Sequence, residues 1–128
     1  MKYLLICLSF CLFSCKAQKN IIQQSFLYYG KTACLGKCPV FDLYIYPNGN
    51  VVYIGVENVN TLGQKNFTCT KKEIELIKNE LNKLSINNNT KTVRDLPNTI
   101  IKYNGNKLII RNNKQIEGLN KLLKKFFS

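Results

Sequence analysis

The chain has 128 residues and a net charge of +12, from 19 Lys and Arg against 7 Asp and Glu, with no histidine and no tryptophan. That length holds one compact domain and no more. Lack of histidine removes the commonest general base, the Ser-His and Cys-His triads, and most transition-metal sites. The charge alone is weak grounds for a polyanion partner. The basic residues are nearly all lysine, scattered among asparagine and isoleucine, a mixture that AAA, AAT and ATT codons produce in an AT-rich genome without selection. No nucleic-acid partner is expected.

Lys2 gives a short positive start, and Leu4 to Phe13 form an apolar run broken only by Ser9. The run is about half the ~20 residues a spanning helix needs, and fits the apolar region of a signal peptide. Leu12-Phe13-Ser14-Cys15 resembles the lipobox of bacterial lipoproteins, with Phe13 bulkier than the pattern prefers. Residues 1–14 are therefore expected to be a removable signal peptide. Cys15 is the expected lipidation site, palmitate among its acyl chains, and the membrane lipid is the first expected partner. Ordinary secretion with cleavage after Ala17 is the alternative. Lys16 to Gln24 reads as a tether, the lipidated cysteine and tether together covering 15–24. Nine residues reach at most ~30 Å. The domain then lies near headgroups, where each lysine gains about 1 kcal/mol from anionic lipid. Acidic residues soon after the lipidated cysteine resemble a surface-export signal, and Lys16-Ala17-Gln18-Lys19-Asn20 has none. The expected location is the periplasmic side of the outer membrane.

Residues 25–128 read as a single α+β domain. Ser25 to Thr32, Val40 to Pro47 and Val51 to Val56 are rich in aromatic and β-branched residues and are separated by turn signals, which predicts a three-strand meander. A two-residue turn at Asn48-Gly49 places Tyr46 opposite Val51 and Tyr44 opposite Tyr53. Pairing the first two strands about Leu35-Gly36-Lys37 then puts Leu27, Tyr29, Phe41, Leu43, Ile45, Val52 and Ile54 on one face. Phe26, Tyr28, Tyr44, Tyr46 and Tyr53 take the other. Thr61 to Thr68 continues the sheet. Thr70 and Glu73 form a capping box before a helix carrying Ile74, Ile77, Leu81 and Leu84, ended by Asn87-Asn88-Asn89. Ile100 to Arg111 reads as a hairpin about Asn104-Gly105. A second helix from Asn113 aligns Ile116, Leu119, Leu122, Leu123 and Phe126, although Gly118 costs it about 1 kcal/mol. The expected fold is an antiparallel sheet, meander plus hairpin, packed with two helices.

Six cysteines are present. Cys7 and Cys11 leave with the signal peptide and Cys15 takes lipid. Cys34, Cys38 and Cys69 remain, in an oxidising compartment. The first hairpin places Cys34 opposite Cys38, within disulfide reach. Cys69 precedes the helix cap and suits a hydrophobic staple. A redox pair is the sharper alternative, but the spacing is CxxxC followed by Pro39 and a strand, without the helix N-terminus that lowers a thiol pKa. Zinc wants four ligands, and three thiols do not supply them. Neither a metal nor another cofactor is expected. Asp42, Glu57 and Asp95 lie outside the helices, at spacings that neither support nor exclude a carboxylate pair. No catalytic residues are assigned, and an enzymatic role is unsupported.

The tyrosine face admits two readings. A helix covering it is the commoner arrangement. Left open, Tyr28, Tyr44, Tyr46 and Tyr53 form a platform for an envelope glycan or a protein segment.

Cys34-Leu-Gly-Lys-Cys38-Pro39-Val40-Phe41, then Leu43-Tyr-Ile45-Tyr, Asn48-Gly49 and Val52-Tyr53, resembles the opening motif of domain-of-unknown-function family 6438, small secreted proteins and lipoproteins common in Bacteroidetes. Its pattern runs Cys-Phe-Gly-x-Cys-Pro-x-Tyr, strand, Asp/Asn-Gly, strand; Leu35 and Phe41 are apolar replacements. Asp95-Leu96-Pro97 and Thr99 resemble a second landmark. Cys69 matches nothing in the pattern. The resemblance implies fold and location and brings no activity. The functional expectation is a membrane-anchored periplasmic binding or accessory module. A thiol-redox protein using Cys34 and Cys38, or a purely structural envelope protein, are the alternatives.

Overall fold

The computed structural model describes residues 25–84 and 96–128. The expected signal peptide (1–14), Cys15 and the expected tether, Asn87-Asn88-Asn89 and Asp95 lie outside the described residues. Six strands form one open antiparallel sheet: β1 (Leu27–Lys31), β2 (Val40–Ile45), β3 (Asn50–Glu57), β4 (Gly63–Thr68), β5 (Thr99–Tyr103) and β6 (Asn106–Ile110). Their order across the sheet is β4-β3-β2-β1-β5-β6, so the meander grows from one side of β1 and the late hairpin adds to the other. Helix α1 (Lys71–Asn82) follows β4, and a 3-10 turn (Asn113–Ile116) leads into α2 (Glu117–Phe127). The α+β architecture expected from the sequence is the one observed.

Period-two alternation puts Leu27 and Tyr29, Phe41, Leu43 and Ile45, Val51 and Tyr53, Ile101, and Leu108 and Ile110 on one side, all buried. The helices meet that side through Ile77, Leu81, Ile116, Leu119, Leu123 and Phe126, giving one continuous core. Thr70 caps α1 by accepting from the Glu73 amide while the Glu73 carboxylate accepts from the Thr70 amide. This reciprocal cap satisfies two amides that the first turn would otherwise leave unpaired. α1 closes at Asn82, with the Lys83 amide donating back to Glu80. The helices run antiparallel: Lys125 near the end of α2 pairs with Glu73 at the start of α1, and Gly118 near the start of α2 lies against Glu80. A Cβ at Gly118 would meet only the carboxylate end of the Glu80 side chain, which can move aside.

The β2–β3 register differs from expectation by one residue. Ile45 stands opposite Val51 and Leu43 opposite Tyr53, so Tyr44 faces Val52 rather than Tyr53. The connection is a type I turn over Tyr46-Pro47-Asn48-Gly49, closed by the Gly49 amide on the Tyr46 carbonyl at 3.0 Å, with Gly49 at φ 91° and the Tyr46 amide on the Asn50 carbonyl. Proline favours the second position of that turn, and the glycine adds one bulged residue to the loop. A slip of one residue exchanges the faces. Tyr53 is therefore in the core, only 2% exposed, and Val52 and Ile54 are half-buried on the opposite side. Phe26 also departs from the tyrosine set: it packs against the core, with the Lys78 ammonium of α1 5.5 Å from its ring centroid. The β5–β6 hairpin does take a two-residue turn, Asn104 and Gly105 both having positive φ.

Candidate functional site

Both helices lie on the core side, and among the described residues no helix covers the opposite face of the sheet. Cross-strand partners share a face, so the registers read out its rows. One row runs Asn66, Val52, Tyr44, Tyr28, Lys102, Lys107; the next runs Gln64, Ile54, Asp42, Gly30, Ile100, Ile109.

Tyr28 lies across these rows. Its hydroxyl donates to the Asp42 carboxylate at 2.6 Å, and its ring passes over Gly30, where an added Cβ would collide with the hydroxyl. Glycine inside a strand here makes room for a side chain laid flat on the backbone. Tyr44 stands beside Tyr28 with ring centroids 5.2 Å apart and planes tilted by 48°. The Lys102 ammonium lies 5.1 Å from the Tyr28 centroid, a cation–π distance. Ser25, Tyr28, Tyr44 and Lys102 together line a shallow open depression. Burial first, then the hydrogen bond to and charge of Asp42, raise the Tyr28 pKa well above the usual phenol range, so the ring stays neutral. Burial and Asp42 push Tyr44 in the same direction, with Tyr46 contributing. Tyr46, half-buried at the head of the turn, extends this side by one pleat. The structure thus groups Tyr28, Tyr44 and Tyr46 and sends Tyr53 to the core, where its ring meets Phe41 at 5.5 Å. Asp42 and Gly30 are site residues that the strand pattern alone did not single out. An acid and a glycine facing each other in an apolar stretch were the available signal.

Cys34 and Cys38 are joined by a disulfide across the β1–β2 connection, their Cα atoms 5.7 Å apart. The bridge closes a loop between strands and has no helix N-terminus beside it. Cys69 is a free, half-buried thiol that packs against the core, and its amide donates to the Gly49 carbonyl at 2.7 Å. Burial, then Glu73, push this thiol pKa up, with Lys125 opposing, so it is a poor nucleophile at neutral pH. Lys31 is held between Thr99 Oγ1 at 2.6 Å and Asn113 Oδ1 at 3.4 Å, and burial lowers its pKa. Asp42 is engaged by Tyr28, and no cluster of three metal-ligating acids, cysteines or histidines occurs among the described residues. No described helix is long and apolar enough to cross a membrane.

The fold and this face define a class: a small open-faced α+β domain with helices on one side of the sheet and an aromatic, lysine-flanked surface on the other. Residues 25–128 match the profile of the family described as "Domain of unknown function (DUF6438)", and the chain belongs to that family. No curated protein and no solved structure gave a significant match.

Proposed function

We propose that the protein is an exported lipoprotein, anchored through Cys15 on the periplasmic side of the outer membrane, whose domain binds an envelope glycan or peptide on the open sheet face. The observation that carries the binding reading is the fixed Tyr28 ring: neutral, laid flat by Gly30, held by Asp42 and flanked by Tyr44 and Lys102. A neutral aromatic plane that loses little freedom on contact suits the apolar face of a sugar or an extended peptide. The lipobox-like Leu12-Phe13-Ser14-Cys15 supports the location.

Two experiments test the two halves. Cells fed a tagged fatty acid should label the wild type and leave Cys15→Ser unlabelled and released from membranes; equal labelling of both removes the anchor. Purified protein should sediment with peptidoglycan sacculi, and Tyr44→Ala should abolish retention without lowering the melting temperature appreciably. Unaltered retention of that variant removes the tyrosine face. The thiol-redox alternative is less favoured, because the disulfide flanks a strand loop and the third thiol is pushed away from ionisation.

A further inference from the structure

Five large apolar side chains stand exposed among the described residues, and four belong to one end of the sheet. Leu35, 84% exposed, tips the β1–β2 connection, and Leu62, 69% exposed, immediately precedes β4. Val56, 54% exposed, is the extra residue of the β3 bulge, and Leu96, 50% exposed, comes shortly before β5. The pairings Lys31–Phe41, Phe41–Gly55, Gly55–Gly63 and Lys31–Thr99 bring these segments to the same end. Single exposed leucines are ordinary, whereas four large apolar side chains gathered at one end of a sheet mark that end as apolar.

This end is also held in shape. The Cys34–Cys38 disulfide closes the loop that carries Leu35, and Asn58 Nδ2 donates to the Cys38 carbonyl at 3.2 Å, tying the β3–β4 connection to it. The Leu35 tip therefore has little conformational freedom left to lose on binding. Its charge is mainly positive. Lys37 stands two residues from Leu35, and Arg111 and Lys114 follow β6. Among the described residues the nearby acids are Glu57 and Glu117, and Glu117 is paired with Lys121 at 3.4 Å.

We propose that this loop end docks on an anionic lipid bilayer, with Leu35 entering the boundary between headgroups and acyl chains and Lys37 lying among the phosphates. The apolar side chains sit on the connections at the ends of strands, beside basic residues, a combination that suits an anionic bilayer. Exposed aliphatic tips beside basic residues combine the two attractions that hold peripheral proteins on such membranes. Ser25 lies at the far end of β1 from Leu35. On the Cys15 anchor proposed above, on which this step rests, a nine-residue tether reaches at most ~30 Å, comparable with the extended run from Ser25 to the tip, so anchor and tip can meet one bilayer. The contact would orient the domain and is independent of any ligand on the tyrosine face.

The protein contains no tryptophan, so Leu35→Trp gives a single fluorescent reporter at the tip and Leu76→Trp, on exposed α1, a control. Each full-length variant is mixed with phosphatidylethanolamine–phosphatidylglycerol vesicles, with and without brominated acyl chains. Emission from Trp at position 35 should shift to the blue and be quenched by bromine. The control should remain solvent-like even when the chain is membrane-bound. Replacing phosphatidylglycerol by phosphatidylcholine, or adding Lys37→Glu, should weaken the shift severalfold. Equal quenching of both reporters, or a shift indifferent to phosphatidylglycerol, overturns the proposal. So does emission unmoved by any vesicle, which would assign the end to a protein partner instead.

Discussion

The Tyr28 hydroxyl donates to the Asp42 carboxylate at 2.6 Å, and Asp42 stands opposite Gly30, the residue over which the Tyr28 ring lies. Three residues on two strands thereby hold one aromatic plane against the sheet. The arrangement depends on each of them. Asp42→Asn should lower the Tyr28 pKa, because a carboxylate that accepts from the phenol and repels the phenolate is removed. The return toward the ordinary value should be partial, since burial is the larger cause. Gly30→Ala should also lower it, by displacing the hydroxyl from Asp42. Ultraviolet titration of tyrosinate, with the residue assigned by Tyr28→Phe, measures both.

Tyr44 and Tyr53 should separate cleanly. Tyr53 is buried against Phe41, and Tyr53→Ala should cost about 3–5 kcal/mol, in the range for large aromatics truncated in cores. Tyr44 is half-buried on the open face, and Tyr44→Ala should cost about 1 kcal/mol or less. Denaturant midpoints of the two variants decide this, and similar losses would return Tyr44 to a covered position.

Much of this was legible in the residues. The β1–β2 register followed from pairing the strands about Leu35-Gly36-Lys37, which also set Cys34 opposite Cys38, and α1 from the Thr70–Glu73 box and the spacing of Ile74, Ile77 and Leu81. The β2–β3 register was not, because Asn48-Gly49 alone signals a two-residue turn while Pro47 before it selects a longer, bulged one. Val51-Val52-Tyr53-Ile54 is apolar at every position, so alternation within the strand could not expose the slip. The Tyr28–Asp42 bond depends on a flat side-chain pose that no period of two encodes.

Reduction of Cys34–Cys38 should lower the melting temperature by several degrees with secondary structure retained. A bridge closing so short a loop contributes about 2 kcal/mol by the chain-entropy estimate. Circular dichroism melts with and without reductant check it. Rapid equilibration with glutathione would point to the redox alternative.

Stability should fall at both pH extremes for different reasons. Burial pushes Tyr29 up to about 12 and raises Tyr28, while unfolded tyrosines ionise near pH ~10. A raised folded pKa contributes stability that is complete below the unfolded value and lost as pH rises through the folded one. The denaturant midpoint should therefore hold to about pH 9 and then drop. Glu73 moves the other way, lowered first by its hydrogen bond from Lys125 and then by the Thr70 amide. Its contribution is present above the ordinary glutamate range and is lost as pH falls through the depressed folded pKa. Glu73→Gln should flatten that acid limb and leave the alkaline limb unchanged.

The central claim is that the sheet face opposite the helices is the ligand surface. Amide chemical-shift mapping of the domain titrated with soluble peptidoglycan fragments tests it most directly. The account predicts shifts along Tyr28, Tyr44, Val52, Ile54 and Lys102, with α1 and α2 silent. Shifts confined to the helices or the strand-loop ends, or none at saturating fragment, would contradict it.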